Sequence, residues 1–218
     1  MTMLVVGSAE CLYADVERAL QLRPLASLML VNGACTAIEN AEHVLAGHEE
    51  KAEFFAEARR AKFPNAPPWR LHGAGPTHRR SIYAKMCPSV TDWWPEETGV
   101  AATSASKAAK IGMLMGFKEI ILCGCPMNQP GYFPGESEGI PQDVSCLRIG
   151  DGGEAKRYAT PHGGNYSTKP GEWMKVQETK IIRSYRERLS ELAKTDFKGK
   201  VFSMSGFTRD CLGEPTRG

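Results

Sequence analysis

With 218 residues, 42% of them hydrophobic and 24% charged, the chain is long enough to bury a full core and has the composition of an ordinary globular protein. A formal net charge of +2 and the lack of any basic run give no indication of a nucleic-acid partner, and no Pro/Gly linker marks a second domain, so a single domain over residues 1–218 is expected. No stretch approaches the eighteen apolar residues of a membrane span. The opening MTMLVVGSAE passes from a short apolar run straight into a Gly turn instead of a signal peptide, so a cytoplasmic location is expected. The seven cysteines are an odd number without framework spacing, which predicts reduced thiols. Cys123 and Cys125, with His162, have the ligand types of a zinc site. Zinc pairs usually stand two to four residues apart, however, and a fourth ligand is not evident, so no metal site is expected.

Taken in order, the chain alternates strand and helix. Residues 3–6 form a short apolar run stopped by Gly7 and Ser8, and residues 11–22 repeat apolar positions at helical spacing (Leu12, Val16, Ala19, Leu20) up to Pro24. Residues 27–31 (SLMLV) read as a second strand closed by Asn32 and Gly33, and residues 43–46 (HVLA) as a third closed by Gly47 and His48. Residues 49–62 read as a charged amphipathic helix with Phe54, Phe55 and Ala58 inward. Residues 69–71 are a fourth strand candidate closed by His72 and Gly73. The tract 73–98, with Trp93 and Trp94, has no clear period. Residues 98–128 read as a loop, a helix rich in small residues (Ala101, Ala102, Ser104, Ala105, Ala108, Ala109, Gly112) and a buried strand, residues 119–123, ending in Gly124. The tract 125–172 is again irregular. A long amphipathic helix over 174–194 and a last strand over 200–204, closed by Ser205 and Gly206, complete the chain. The basic residues of that helix, Arg186 among them, read as a solvated face.

This alternation predicts a three-layer α/β fold with a mainly parallel sheet of five to six strands and helices on both faces. Parallel strands place the Gly and polar closures along one edge, where ligands bind in open α/β sheets. The long irregular tracts are then candidate site loops. His162, in a Gly-flanked loop, is a candidate general acid or base, since its ordinary pKa lies near neutrality.

The order of these motifs resembles the bacterial sialyltransferase-like group, which includes hydroxymethylpterin diphosphokinase-like proteins and many bacterial and phage members. The resemblance rests on Gly7-Ser8, Asn32, the turn Thr98-Gly99-Val100 opening the Ala-rich helix, GFKEI at residues 116–120, Gly124, and His162. It covers most of the chain, and residues 98–124 carry its most specific part. Ser8-Ala9-Glu10 and Pro126 depart from the group's pattern at the first loop and after Gly124.

What the resemblance implies is a Rossmann-like domain that holds a nucleotide sugar of CMP or UMP type and transfers the sugar to a hydroxyl acceptor. Carried onto this chain, the resemblance has Gly7, Ser8, Asn32, Thr98 and Gly99 contacting the nucleotide and His162 as the catalytic group; the residues themselves add Gly33, Thr103, Ser104, Gly124 and Asn128 as binding candidates at the same strand and helix ends, with Ser205 and Arg209 closing the far side. Backbone amides in Gly turns and at the start of a helix suit phosphate oxygens whatever the family. Lys107, one turn into that helix, would add a charge there or be merely solvated. Two alternatives stay open: a Mg²⁺-dependent pyrophosphokinase, for which Glu10, Asp143 and Asp151 are the loose carboxylate candidates, and a non-catalytic phage or prophage protein of the same fold. The oligomeric state, including a homo-oligomer, is also open.

Overall fold

The computed structural model describes residues 1–48, 51–75, 84–85, 87–95, 103–127, 143–149, 155–161 and 180–217. Strand β1 (Thr2–Val6) leads through helix α1 (Leu12–Leu22) to β2 (Ser27–Val31), a 3-10 helix (Asn32–Thr36) and β3 (His43–Ala46). Helix α2 (Ala52–Lys62), β4 (Arg70–Gly75) and β5 (Asp92–Pro95) follow. Helix α3 (Ser104–Leu114) and β6 (Glu119–Cys123) come next. A hairpin of β7 (Asp143–Ile149) and β8 (Ala155–Pro161), then α4 (Lys180–Lys194), β9 (Val201–Ser203) and α5 (Gly206–Leu212), end the chain.

Seven strands form one parallel sheet in the order β5-β4-β3-β2-β1-β6-β9, and β7 and β8 pair antiparallel apart from it. The chain therefore steps outward from β1 to β5, then returns to the other side of β1. Right-handed crossovers require the helices of the outward and return journeys to lie on opposite faces. They do: α1 and α2 pack with Leu4, Val6, Leu30 and Val44 on one face, whereas α3 and α4 pack with Met3, Val5, Ile120 and Leu122 on the other. This is a Rossmann-like three-layer α/β fold.

The central strands are buried on both faces, which explains their unbroken apolar runs. The small residues of α3 do what close packing asks of them. A Cβ on Gly112 would come within 2.8 Å of Ile120 and 3.0 Å of Met3, so the helix axis sits nearer the sheet than larger residues allow.

Five elements differ from the sequence reading. The sheet has seven strands instead of five to six, because β5 lies in the tract read as aperiodic. His72 and Gly73 lie inside β4 rather than closing it. The hairpin β7–β8 occupies part of the second irregular tract, and α5 begins where a closing loop was expected.

The opposite end of the sheet is tied by charge. Glu119, at the start of β6, accepts two hydrogen bonds from the Arg23 guanidinium at 2.7 and 2.8 Å and one from the Thr2 hydroxyl at 2.7 Å. These bonds hold its carboxylate below the usual range against the upward push of burial.

A polar chain crosses β3, β4 and β5. The Trp94 indole donates to Nδ1 of His72 at 3.0 Å, and Nε2 of His72 lies 3.0 Å from Nδ1 of His43. An indole N–H only donates, so Nδ1 of His72 is unprotonated and Nε2–H donates onward to His43. His72 is 1% exposed, and burial, helped by the neighbouring His43 and Arg70 and opposed by Asp92, lowers its pKa to about 4. Burial likewise lowers that of His43, with Glu42 and Asp92 opposing and Arg70 assisting.

A depressed histidine pKa means that the unfolded chain takes up its proton first. The stability from neutral His72 is complete above pH 6.5 and is lost as pH falls toward 4, a difference of about 3 kcal/mol. Urea midpoints measured across this window should fall accordingly. His72→Leu should flatten the profile, and an unchanged profile in that variant would refute the assignment.

Candidate active site along the C-terminal edge of the sheet

At the ends of β2, β3 and β4 the backbone and side chains converge on α3. Asn32 follows β2 directly and takes a left-handed conformation (φ 52°), which Asn tolerates better than most residues. Its Oδ1 accepts the Gly47 N–H at 2.7 Å, tying the end of β2 to the end of β3. That bond fixes the amide orientation, so the NH₂ of Asn32 faces away from Gly47. Gly47 is required on steric grounds: a Cβ there would fall 2.2 Å from Oγ of Ser104 and 3.1 Å from Oδ1 of Asn32. Ser104 opens α3, and the helix N-terminus therefore sits against the β3 turn.

The start of α3 is closed by a capping box. Thr103 accepts the Ser106 N–H at 3.2 Å, and Ser106 Oγ accepts the Thr103 N–H at 2.7 Å. The amides of Ser104 and Ala105 take no partner among the described residues. One turn in, Nζ of Lys107 reaches the carbonyls of Gly47 at 3.3 Å and Ala74 at 3.4 Å. An ammonium, two helix amides and a carboxamide thus stand together at the C-terminal ends of β2 to β4. Such a set favours an anion through charge, hydrogen bonding and the helix dipole.

The second cluster lies at the topological switch point, where β1 separates the outward and return halves of the sheet. Here the backbone is laced shut. The Gly7 N–H donates to the Cys123 carbonyl at 2.8 Å and the Ala9 N–H to the Gly124 carbonyl at 3.1 Å. Asp15 of α1, 3% exposed, accepts the Gly124 N–H at 2.9 Å and the Ser205 hydroxyl at 2.6 Å. Thr208 of α5 donates to the Cys125 or Ser205 carbonyl, both at 2.9 Å, and lies 2.7 Å from Ser203 Oγ. This is a built floor: the amides of Gly7 and Gly124 are committed to the protein itself.

Three thiols line that floor. Burial pushes Cys123 well up, Cys125 up to about 12, and Cys11 in the same direction against its contact with Ser205, so all three are protonated at neutral pH. Protonated thiols are poor nucleophiles and poor metal ligands. Among the described residues no group of three His, Cys, Asp or Glu side chains could hold a metal ion.

Of the residues singled out from sequence, Asn32, Thr103 and Ser104 fall in the first cluster, with Gly33 buried behind Asn32 in the 3-10 helix. Gly7, Gly124 and Ser205 fall in the second, and Ser8 continues the loop from Gly7. Arg209 is an exposed residue of α5 whose Nη2 lies 3.8 Å from Asp210. Thr98, Gly99, Asn128 and His162 lie outside the described residues. Two residues gain importance from the structure: Lys107, for which helical position was the only sequence signal, and Asp15, for which there was none.

In open α/β sheets ligands commonly bind outside the carboxyl ends of the strands, the edge at which these donor groups gather. No protein-family model matches the chain, and no curated protein matches it. Among solved structures, the MAf glycosyltransferase from Magnetospirillum magneticum AMB-1 is similar over 86% of this chain, with 15% identity and a TM-score of 0.41. The chain spans 30% of the length of that protein. Among the described residues no helix is long and apolar enough to cross a membrane.

Proposed function

We propose that the protein is a nucleotide-sugar-dependent, glycosyltransferase-like enzyme of the cytoplasm that binds its donor along the C-terminal edge of the sheet. The observation carrying this reading is the position of Lys107, held by the Gly47 and Ala74 carbonyls beside the open amides of Ser104 and Ala105 and the amide of Asn32. In this reading a phosphate of a CMP- or UMP-type sugar lies against these groups, and the hydrogen-bonded floor at Gly7 and Gly124 supports the nucleotide. Departure of the sugar leaves negative charge on the phosphate, which fixed amides and an ammonium stabilise without reorganising. His162 then takes the proton of the acceptor hydroxyl.

The test is a thermal-shift series with CMP, UMP, their sugars and ATP, each with and without Mg²⁺. A donor at a hundred times its Kd stabilises the fold by about 2.7 kcal/mol, so a shift of several degrees is expected with a nucleotide sugar. Lys107→Ala should weaken that donor about tenfold, the loss of one charged hydrogen-bonding partner. His162→Ala should keep the shift and lose turnover. Stabilisation by ATP and Mg²⁺ alone would replace this reading with pyrophosphoryl transfer. Indifference to every nucleotide would end both.

A further inference from the structure

At the other end of the same edge stands a second cation that no carboxylate meets among the described residues. Arg186 lies in the first half of α4, and its Nη2 donates to the Met127 carbonyl at 2.8 Å. Met127, four residues past β6, takes a left-handed conformation (φ 57°) that side chains rarely adopt, and its carbonyl is the one Arg186 holds. The guanidinium carbon sits 5.1 Å from the ring centroid of Phe207, the second residue of α5. Three elements at the ends of β6 and β9 thus fix one planar cation in place.

That cation is left incompletely used. Nε of Arg186 is buried with no hydrogen-bond partner, whereas buried donors of charged groups are normally paired. Nε and a neighbouring Nη form the fork that matches the two oxygens of a carboxylate or phosphate. Arg59 also has an unpaired Nε, but it is 0% exposed and its Nη atoms are spent on four backbone carbonyls. No ligand reaches it. Arg186 is only half-buried, beside the loop that leaves the sheet at the candidate site. From the Lys107 cluster at β3 to the end of β6 is three strand spacings, roughly 15 Å.

We infer that Arg186 is a second oxyanion anchor of this edge, receiving a carboxylate or phosphate carried by the transferred sugar or by the acceptor. The place of this anchor in a substrate rests on the proposed donor site at Lys107. Binding of an oxyanion to Arg186 does not.

The experiment uses the full chain labelled with ¹⁵N, the Arg186 Nε–H resonance being assigned by its loss in Arg186→Gln. Titration with inorganic phosphate and with acetate should shift that resonance saturably, and equally in Lys107→Ala. Arg186→Lys, which keeps the charge but loses the fork and its Nε–H, should bind at least tenfold more weakly when the titration is followed at the backbone amides of Met127 and Phe207, while melting near the wild-type temperature. A resonance unmoved by tens of millimolar of either anion in the folded protein overturns the inference.

Competition then separates the sources. A nucleotide sugar bearing a carboxylate should displace phosphate from Arg186 if the anion belongs to the donor, and a free sugar phosphate should do so if it belongs to the acceptor. A neutral nucleotide sugar should not. Failure of both charged compounds removes Arg186 from substrate recognition. A phosphate response at Arg186 in a protein that no nucleotide stabilises would sink the donor reading and leave the oxyanion site standing.

Discussion

Arg59→Met is expected to lower stability by about 4 kcal/mol, because a buried charged donor that satisfies four carbonyls is replaced by a side chain that satisfies none. The Arg59 Nη atoms donate to the carbonyls of Cys35 (2.7 Å), Ile38 (2.9 Å), Glu39 (2.6 Å) and Ala41 (3.3 Å). Its guanidinium lies 5.3 Å from the Trp69 ring centroid and 5.5 Å from that of Phe63. Burial depresses the arginine pKa, with Glu39 opposing, and the cation is held by dipoles and ring faces. The segment it clamps begins at the 3-10 helix that Asn32 opens, so the candidate anion site is coupled to it. For a chain of this size the melting temperature should fall by roughly 10 °C, and the nucleotide response should weaken with it. A Met variant within 1 kcal/mol of wild type by urea unfolding would show that the carbonyls find other partners.

Gly124→Ala is expected to cost about 3 kcal/mol and to act on the other half of the site. Gly124 adopts φ +62°, and a Cβ there would lie 2.6 Å from the Gly7 carbonyl oxygen and 3.0 Å from Leu12. The left-handed conformation alone costs about 1–2 kcal/mol in a residue with a Cβ, and overpacking adds a similar amount. The Gly7 contact is backbone, which cannot rotate aside. Relief requires β1 and β6 to part at their ends, which would also break the Gly124 hydrogen bond to Asp15. Chemical denaturation, together with hydrogen exchange at Gly7 and Ala9, would report both effects. Unchanged exchange at those two amides would contradict the account.

The two variants show how unevenly the structure was written in the sequence. β1, β2, β3 and β6 are apolar runs punctuated by Gly or Asn, and their ends fell within a residue of expectation because burial on both faces leaves little other composition possible. β5 is Asp-Trp-Trp-Pro, with Pro95 at its end. It is a strand because Trp93 packs on one face of the sheet and Trp94 on the other, and because β4 supplies its ladder. The polar His72 and Gly73 looked like a turn, yet His72 is kept in β4 by the indole of Trp94 and the ring of His43. In the site, Asn32 and the α3 N-terminus were legible as turn and cap chemistry. Lys107 was legible only as a charge one turn into that helix, and Arg186 and Arg59 were not legible, because a basic residue on an amphipathic helix is usually solvated, and only the packing of neighbouring elements turns it inward.

Strand β1 carries a further consequence for biosynthesis. It pairs on one side with β2, some twenty-five residues later, and on the other with β6, where Thr2 meets Glu119. A chain emerging from a ribosome at 5–20 residues per second leaves one side of its most apolar strand without a hydrogen-bonding neighbour for on the order of ten seconds. During that interval the nascent N-terminal half is a template for unwanted pairing with other chains, and the yield of native protein depends on how well the cell shields it.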